Sequence, residues 1–185
     1  MPAIEISFNQ IKFDQKIQSY CCNPKFKCPN YRHSWACPPE APYLEEKVAG
    51  FKKFYLIYTK LDLEEYVKHV WVKKPKKERE KIITAFYSKD SIRDELEKEI
   101  LHFLNEYQNS YQEKLVLWDG FCRICYKENK KCTYDNGKPC RYPDRIRYSI
   151  EAVGINVDQT AKNIGINLEW PPTSYAYRFG LVCFK

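Results

Sequence analysis

No apolar run in this 185-residue chain approaches the roughly 20 residues needed to cross a bilayer, which excludes a helical membrane span. Glycine is scarce at six residues. None of the six forms a phosphate-cradling loop or a dinucleotide fingerprint, excluding a P-loop or Rossmann site. Histidine is scarcer, with His33, His69 and His102 as the whole supply, and no Ser-His-Asp set can be drawn from them. The opening MPAIEISFNQIKF has no basic stretch leading into a continuous apolar one, so no export leader is expected. Repeats and low-complexity linkers are also lacking. The expectation is a single domain over residues 1–185, large enough to bury a core.

Cysteine is abundant instead: there are nine, an odd number. Without export, disulfides explain them poorly. They read as metal ligands or reactive thiols in the reducing interior of a cell, which places the protein in the cytoplasm. The net charge is +7, and its location says more than its size. Between Cys122 and Cys140, and just beyond, stand Arg123, Lys127, Lys130, Lys131, Lys138, Arg141, Arg145 and Arg147. Glu128, Asp135 and Asp144 are the only acids among them. Cations beside thiols lower their pKa and stabilise an anionic site. A solvated basic face and a nucleic-acid patch are the competing readings.

Hydrophobic patterning predicts strands over 4–8, 54–61, 114–118 and 177–184. Asp62 can cap a helix carrying Leu63, Tyr66, Val67, Val70 and Trp71, which Pro75 interrupts. Helical spacing also marks 40–51, 77–107 with a break at Ser88 or Ser91, and 150–164 with an interruption at Gly154. The sum is an α+β fold: a small β-sheet covered by helices, with two cysteine-rich segments at about 21–39 and 122–143. The aromatic share of 16% is expected to serve packing in core and loops.

In the second segment Cys122, Cys125, Cys132 and Cys140 follow the spacing C-x2-C-x6-C-x7-C. The close pair can wrap one metal atom or one edge of a cluster. Structural zinc usually takes two tight pairs, because one small ion must gather all four sulfurs. A four-iron cubane is larger and accepts ligands from wider loops, so a [4Fe–4S] cluster is favoured over zinc. Prolines after Cys37 and Cys140 suit a chain turning away from a bulky group. The first segment offers Cys21, Cys22, Cys28 and Cys37. Side chains of adjacent cysteines diverge, so the expected set is three: Cys22 (or Cys21), Cys28 and Cys37. The fourth position falls to the other adjacent cysteine, to Cys183, or to a non-protein group. Cys183, in the apolar LVCF, reads more simply as a small buried hydrophobe.

Several motifs in order resemble one family. CPNYRHSWACPP carries Cys28, Tyr31 and Cys37; KPCRYP carries Pro139, Cys140, Arg141 and Pro143; RIRYSIEAVGINV carries Ser149, Glu151, Ala152, Gly154 and Ile155. With the closing YRFGLVCF, these make the chain similar to DUF2284, a family of small prokaryotic proteins described as predicted metal-binding. Two departures stand out. The Cys125–Cys132 gap is longer than the family's, and the family's glycine after the N-terminal Tyr is here Arg32. The resemblance implies metal binding, most plausibly iron–sulfur, and supplies no reaction.

Arg141 and Arg145 flank Cys140 and are read as cofactor-binding side chains that hydrogen-bond cluster sulfur, or alternatively as partners of acids such as Glu151. His33 lies between two proposed ligands; His69 and His102 read as surface or core-edge residues. The stretch VKHVWVKKPKK is the best nucleic-acid candidate outside the cysteines. The leading expectation is an iron–sulfur protein passing electrons to a protein partner docked on the basic rim. An enzyme with a three-cysteine cluster and an open iron, and a zinc-stabilised nucleic-acid module, are the alternatives.

Overall fold

The computed structural model describes residues 3–24, 26–86, 89–108 and 110–185, with the backbone alone at residue 26. In chain order the elements are β1 (Ala3–Ile6), α1 (Lys16–Ser19), β2 (Cys22–Asn23), β3 (Phe26–Lys27), α2 (Glu45–Ala49), β4 (Lys53–Asp62), α3 (Leu63–Lys73) and α4 (Arg79–Phe86). α5 (Asp90–Glu106), β5 (Lys114–Leu117), α6 (Ile124–Lys127), α7 (Val157–Lys162) and β6 (Tyr175–Phe184) follow. The fold is α+β, as the patterning predicts. An antiparallel sheet in the order β1-β4-β6-β5 forms the middle layer, and β2 with β3 makes a separate hairpin. Among the described residues, no helix is long and apolar enough to cross a membrane.

β4 and β6 pair over ten residues, from Lys53 opposite Phe184 to Asp62 opposite Tyr175. Successive side chains of a strand take opposite faces. Here both faces are covered, which is why the sequence runs FYLIY without a polar alternate. Tyr55, Ile57, Val182 and Phe184 pack under Leu96, Ile100 and Phe103 of α5. Phe54, Leu56, Leu181 and Cys183 pack on the other face with Val48, Phe51, Ile150, Val153 and Ile155. Gly180, opposite Ile57, lets α5 lie close. A Cβ there would stand 2.5 Å from Ile100 Cδ1 and 3.2 Å from the Leu117 carbonyl oxygen.

Asp62 caps α3 as read, its Oδ1 accepting the Glu65 N–H at 3.0 Å. Three details differ from the patterning. The helix foreseen over 40–51 is confined to Glu45–Ala49. Of the two proposed breaks in the long helical stretch, Ser88 lies outside the described residues. Ser91 is inside α5, whose N-cap is the extended Lys89. The 150–164 stretch splits into a 3-10 turn, Glu151–Val153, and α7. Gly154 between them is left-handed, and the Asn156 side chain caps α7 by accepting the Gln159 N–H.

Four hydrogen bonds bring the cysteine segments together. Beyond β5 the Trp118 N–H donates to the Tyr148 carbonyl at 2.8 Å, and the Ile150 N–H donates to the Trp118 carbonyl at 3.1 Å. The chain entering the second cysteine segment therefore runs beside the chain leaving it. Gln18 Nε2, on α1, donates to the carbonyls of Ala41 at 2.9 Å and Ala152 at 2.8 Å, clamping the first segment against the 3-10 turn.

Candidate metal centre

In the first segment the β2–β3 register pairs Cys22 with Lys27. One step outward, Cys28 N–H donates to the Cys21 carbonyl at 2.8 Å, so Cys21 and Cys28 stand opposite each other. Adjacent strand residues point to opposite sides. Cys21 and Cys28 therefore share one side, and Cys22 is exposed on the other. Cys37 reaches the same space from a turn closed by its N–H to the Ser34 carbonyl, 3.2 Å. These three thiols line a cavity of about 560 Å³, whose walls include Arg93, Asp119 and Glu151, whereas Cys22 does not line it. Burial pushes the Cys37 thiol up to about 12, the Ser34 hydrogen bond opposing it and Cys28 adding to it. Burial, then the neighbouring Cys28, pushes Cys21 up to about 11. A metal binding here has those protons to displace.

In the second segment Cys125 sits on α6, and Cys122 just precedes it. The long spacer to Cys140 is folded back on itself. The Lys138 N–H donates to the Thr133 carbonyl at 3.2 Å, and Thr133 Oγ1 donates to the Pro139 carbonyl at 2.8 Å. All four thiols, Cys122, Cys125, Cys132 and Cys140, line one cavity of about 430 Å³. Burial pushes Cys140 upward, and the charges of Cys122, Cys132 and Cys125 push the same way against a backbone hydrogen bond at Tyr142. Arg141 Nη1 donates to Cys125 Sγ at 3.2 Å and to the Lys131 carbonyl at 3.3 Å. All nine cysteines are free of disulfides. Among the described residues, no three His, Cys, Asp or Glu side chains gather tightly enough to hold a metal ion. The sulfurs rim a space rather than converge on a point.

The two cavities adjoin: Asn30 and Phe121 line both, and Cys37 is near enough to feel the charge of Cys122. The loops also grip each other. His33 Nδ1 meets Asp135 Oδ1 at 2.8 Å, Trp35 Nε1 donates to the Lys138 carbonyl at 3.1 Å, and the Trp35 ring meets Tyr134 edge-on at 5.0 Å. His33 thus lines the second cavity while partnered to Asp135. Arg32 adopts φ +59°, the left-handed conformation a glycine would take at lower cost, and its N–H donates to the Pro38 carbonyl at 3.1 Å.

Much of the basic surplus is paired with acids, against the expectation of a rim of free cations around the thiols. Arg123 is buried and reaches Asp94 at 2.8 Å on α5. Glu97, also on α5, pairs with Lys127 at 2.7 Å and Arg147 at 2.8 Å. Lys130 and Arg145 face Glu128, at 2.9 and 3.8 Å. Neither proposed cofactor-binding arginine lines a cysteine cavity; Arg145 lies over the Tyr142 ring, and Arg141 is the one of the two that touches a thiol, Cys125. Neither arginine pairs with Glu151. Among the described residues, Lys131, Lys138 and Arg141 are the members of the eight with no ion pair.

The α5 network carries a pH prediction. Burial raises the Glu97 pKa, but hydrogen bonds from Arg147 and Lys127 outweigh it and hold the carboxyl below the usual range. A depressed folded-state pKa gives stability that is present above the unfolded value and lost as pH falls through the folded one. Glu97→Gln is expected to cost roughly 1–3 kcal/mol at neutral pH. The difference from the parent should shrink as pH drops below the ordinary 4.5. Urea unfolding from pH 7 downward checks it, and a difference independent of pH would contradict it.

The remaining sequence candidates lie elsewhere. Cys183 is fully buried in the sheet core, its thiol pushed up to about 12 by burial, and it lines neither cavity. It offers no fourth ligand. His69 and His102 are exposed and meet Glu65 and Glu106 one turn along their helices, each at 3.7 Å. In VKHVWVKKPKK, Trp71 Nε1 donates to the Lys77 carbonyl at 2.7 Å, so this aromatic secures the end of α3.

Residues missed in the sequence are Asp119, Arg93 and Arg178. Asp119 forms an ion pair with Arg178, buried on β6, and a second with Arg93 at 3.7 Å. The position of Asp119 just before Gly120 and Cys122 was the available signal. Glu151 is an exposed residue; desolvation of its carboxyl, then the charge of Asp119, pushes it up to about 7.

Compared with known families, residues 4–184 match the family described as Predicted metal-binding protein (DUF2284). No curated protein and no solved structure matches the chain.

Proposed function

The chain belongs to the DUF2284 family of predicted metal-binding proteins, and from that premise we propose that it is an iron–sulfur protein with two adjoining cluster sites. Cys122, Cys125, Cys132 and Cys140 would hold one [4Fe–4S] cluster. Cys21, Cys28 and Cys37 would hold a second through three thiols. The observation that carries this reading is the lining of a single 430 Å³ cavity by all four thiols of the second segment. Thiolates suit iron–sulfur clusters and zinc alike. Zinc needs its four sulfurs drawn to one point, whereas a cubane needs room between them. When bound, a cluster supplies one-electron redox chemistry. The Arg141 N–H on Cys125 Sγ would stabilise added negative charge there and raise the potential. Lys131, Lys138 and Arg141 leave positive charge for an acidic redox partner.

A second reading, an enzyme acting at the three-thiol site, is favoured by Asp119 and Glu151 in the wall of that cavity. The test is analysis of anaerobically purified protein. Iron and acid-labile sulfide in equal amounts are expected. Cys125→Ser should remove one share of both, Cys21→Ser another, and Cys22→Ser neither. Stoichiometric zinc without sulfide would overturn the proposal.

A further inference from the structure

Beside the three-thiol cavity lies a smaller one of about 260 Å³, and Asp119, Glu151 and Trp170 line both. If the larger is filled by a cluster, the smaller remains as the space for a second molecule. Its wall is aromatic and acidic: Trp170, Tyr175, Tyr177 and Phe179 stand with Asp119, Glu151 and Glu169. Among the described residues, the one cationic side chain lining it is Arg178, which is paired to Asp119. Glu169 accepts hydrogen bonds from Thr173 and Ser174, neutral donors that leave its charge in place. Among the described residues, no cation lies within ion-pair distance of Glu151 or Glu169. The rings already attract positive charge, since Lys60 Nζ stands 3.7 Å from the Tyr175 centroid and 5.9 Å from that of Tyr177. Aromatic faces and carboxylates with no cationic partner both favour an ammonium over a neutral group.

We propose that this cavity is a binding site for a small organic amine, with Glu151 as counter-ion and Trp170 as an aromatic wall, next to the three-thiol site. The inference goes beyond the redox reading, and the amine can be titrated whichever metal the protein holds.

The probe is phenethylamine, with 2-phenylethanol as its neutral counterpart of the same size, titrated calorimetrically into the anaerobically prepared protein at constant pH. The amine is expected to bind at least about tenfold more tightly than the alcohol, the ratio one charge-specific contact confers. Glu151→Gln should erase that ratio while leaving alcohol binding unchanged, and Trp170→Ala should weaken both ligands. Glu169→Gln, which removes another carboxylate of the same wall, should lower amine affinity by a smaller factor. Equal affinities for the two probes in the unsubstituted protein, or binding of neither, would overturn the proposal without touching the iron and sulfide result. So would a Glu151→Gln variant that melts normally and keeps full preference for the amine.

Discussion

Gly154→Ala is expected to destabilise the protein by about 2–4 kcal/mol, measured as the free energy of urea unfolding. Two independent costs meet at this residue. Its φ of +95° lies where an L side chain clashes with its own backbone, a penalty of roughly 1–2 kcal/mol. A Cβ there would also stand 2.3 Å from Cδ2 and Cε2 of Tyr43, well inside contact distance. The ring has little freedom to retreat: Phe13 meets it edge-on at 5.9 Å, and its hydroxyl donates to Glu45 at 2.7 Å. Overpacking of this kind costs about 1–3 kcal/mol. The Gly154 carbonyl also accepts the Asp14 N–H at 2.8 Å, so a shift here loosens the segment leading to α1. Adding Tyr43→Ala should relieve the steric part and leave the backbone part, giving a favourable coupling between the two substitutions. A loss below about 1 kcal/mol would mean that neither argument holds.

Asp119→Ala is expected to cost about 3–5 kcal/mol, the penalty for stranding charge in the interior. The Arg178 side chain is only 4% exposed and is ion-paired to this carboxylate, while Arg93, 15% exposed, divides its charge between Asp119 and Asp90, each at 3.7 Å. Arg178 is also placed over the Phe86 ring and donates to the Phe86 carbonyl at 3.4 Å, contacts that do not cancel its charge. If desolvated charge is the cause, Asp119→Leu with Arg178→Met should be far less damaging than Asp119→Ala alone, since replacing a buried pair by apolar groups is often neutral. Equal losses in the single and double variants would point to packing around Asp119 instead.

What was legible in the sequence followed from local rules. β4 and its Asp62-capped successor could be read because a buried strand and a helix start each leave a pattern within a few residues. The pairing of cysteines with loops was legible from spacing. The choice between Cys21 and Cys22 was not, since it depends on hairpin register and a one-residue slip exchanges the two sides. Nor was the pairing of Arg123, Lys127 and Arg147 with α5: their partners Asp94 and Glu97 lie roughly 30 to 50 residues away along the chain, on a helix with no sequence tie to the cysteine segment. Asp119 escaped notice for the same reason, because Arg178 is brought to it only when β6 inserts between β4 and β5.

The grip between the two cysteine loops has a consequence for assembly. His33 and Trp35 belong to one loop, Asp135, Tyr134 and Lys138 to the other. Rigidity gained by either loop on filling is passed directly to its neighbour, which then has less freedom left to surrender. If the two sites fill as proposed, filling one should make the other fill more readily in the unsubstituted protein, so that singly loaded molecules are under-represented part-way through reconstitution, while a variant lacking one site still loads the other at saturation.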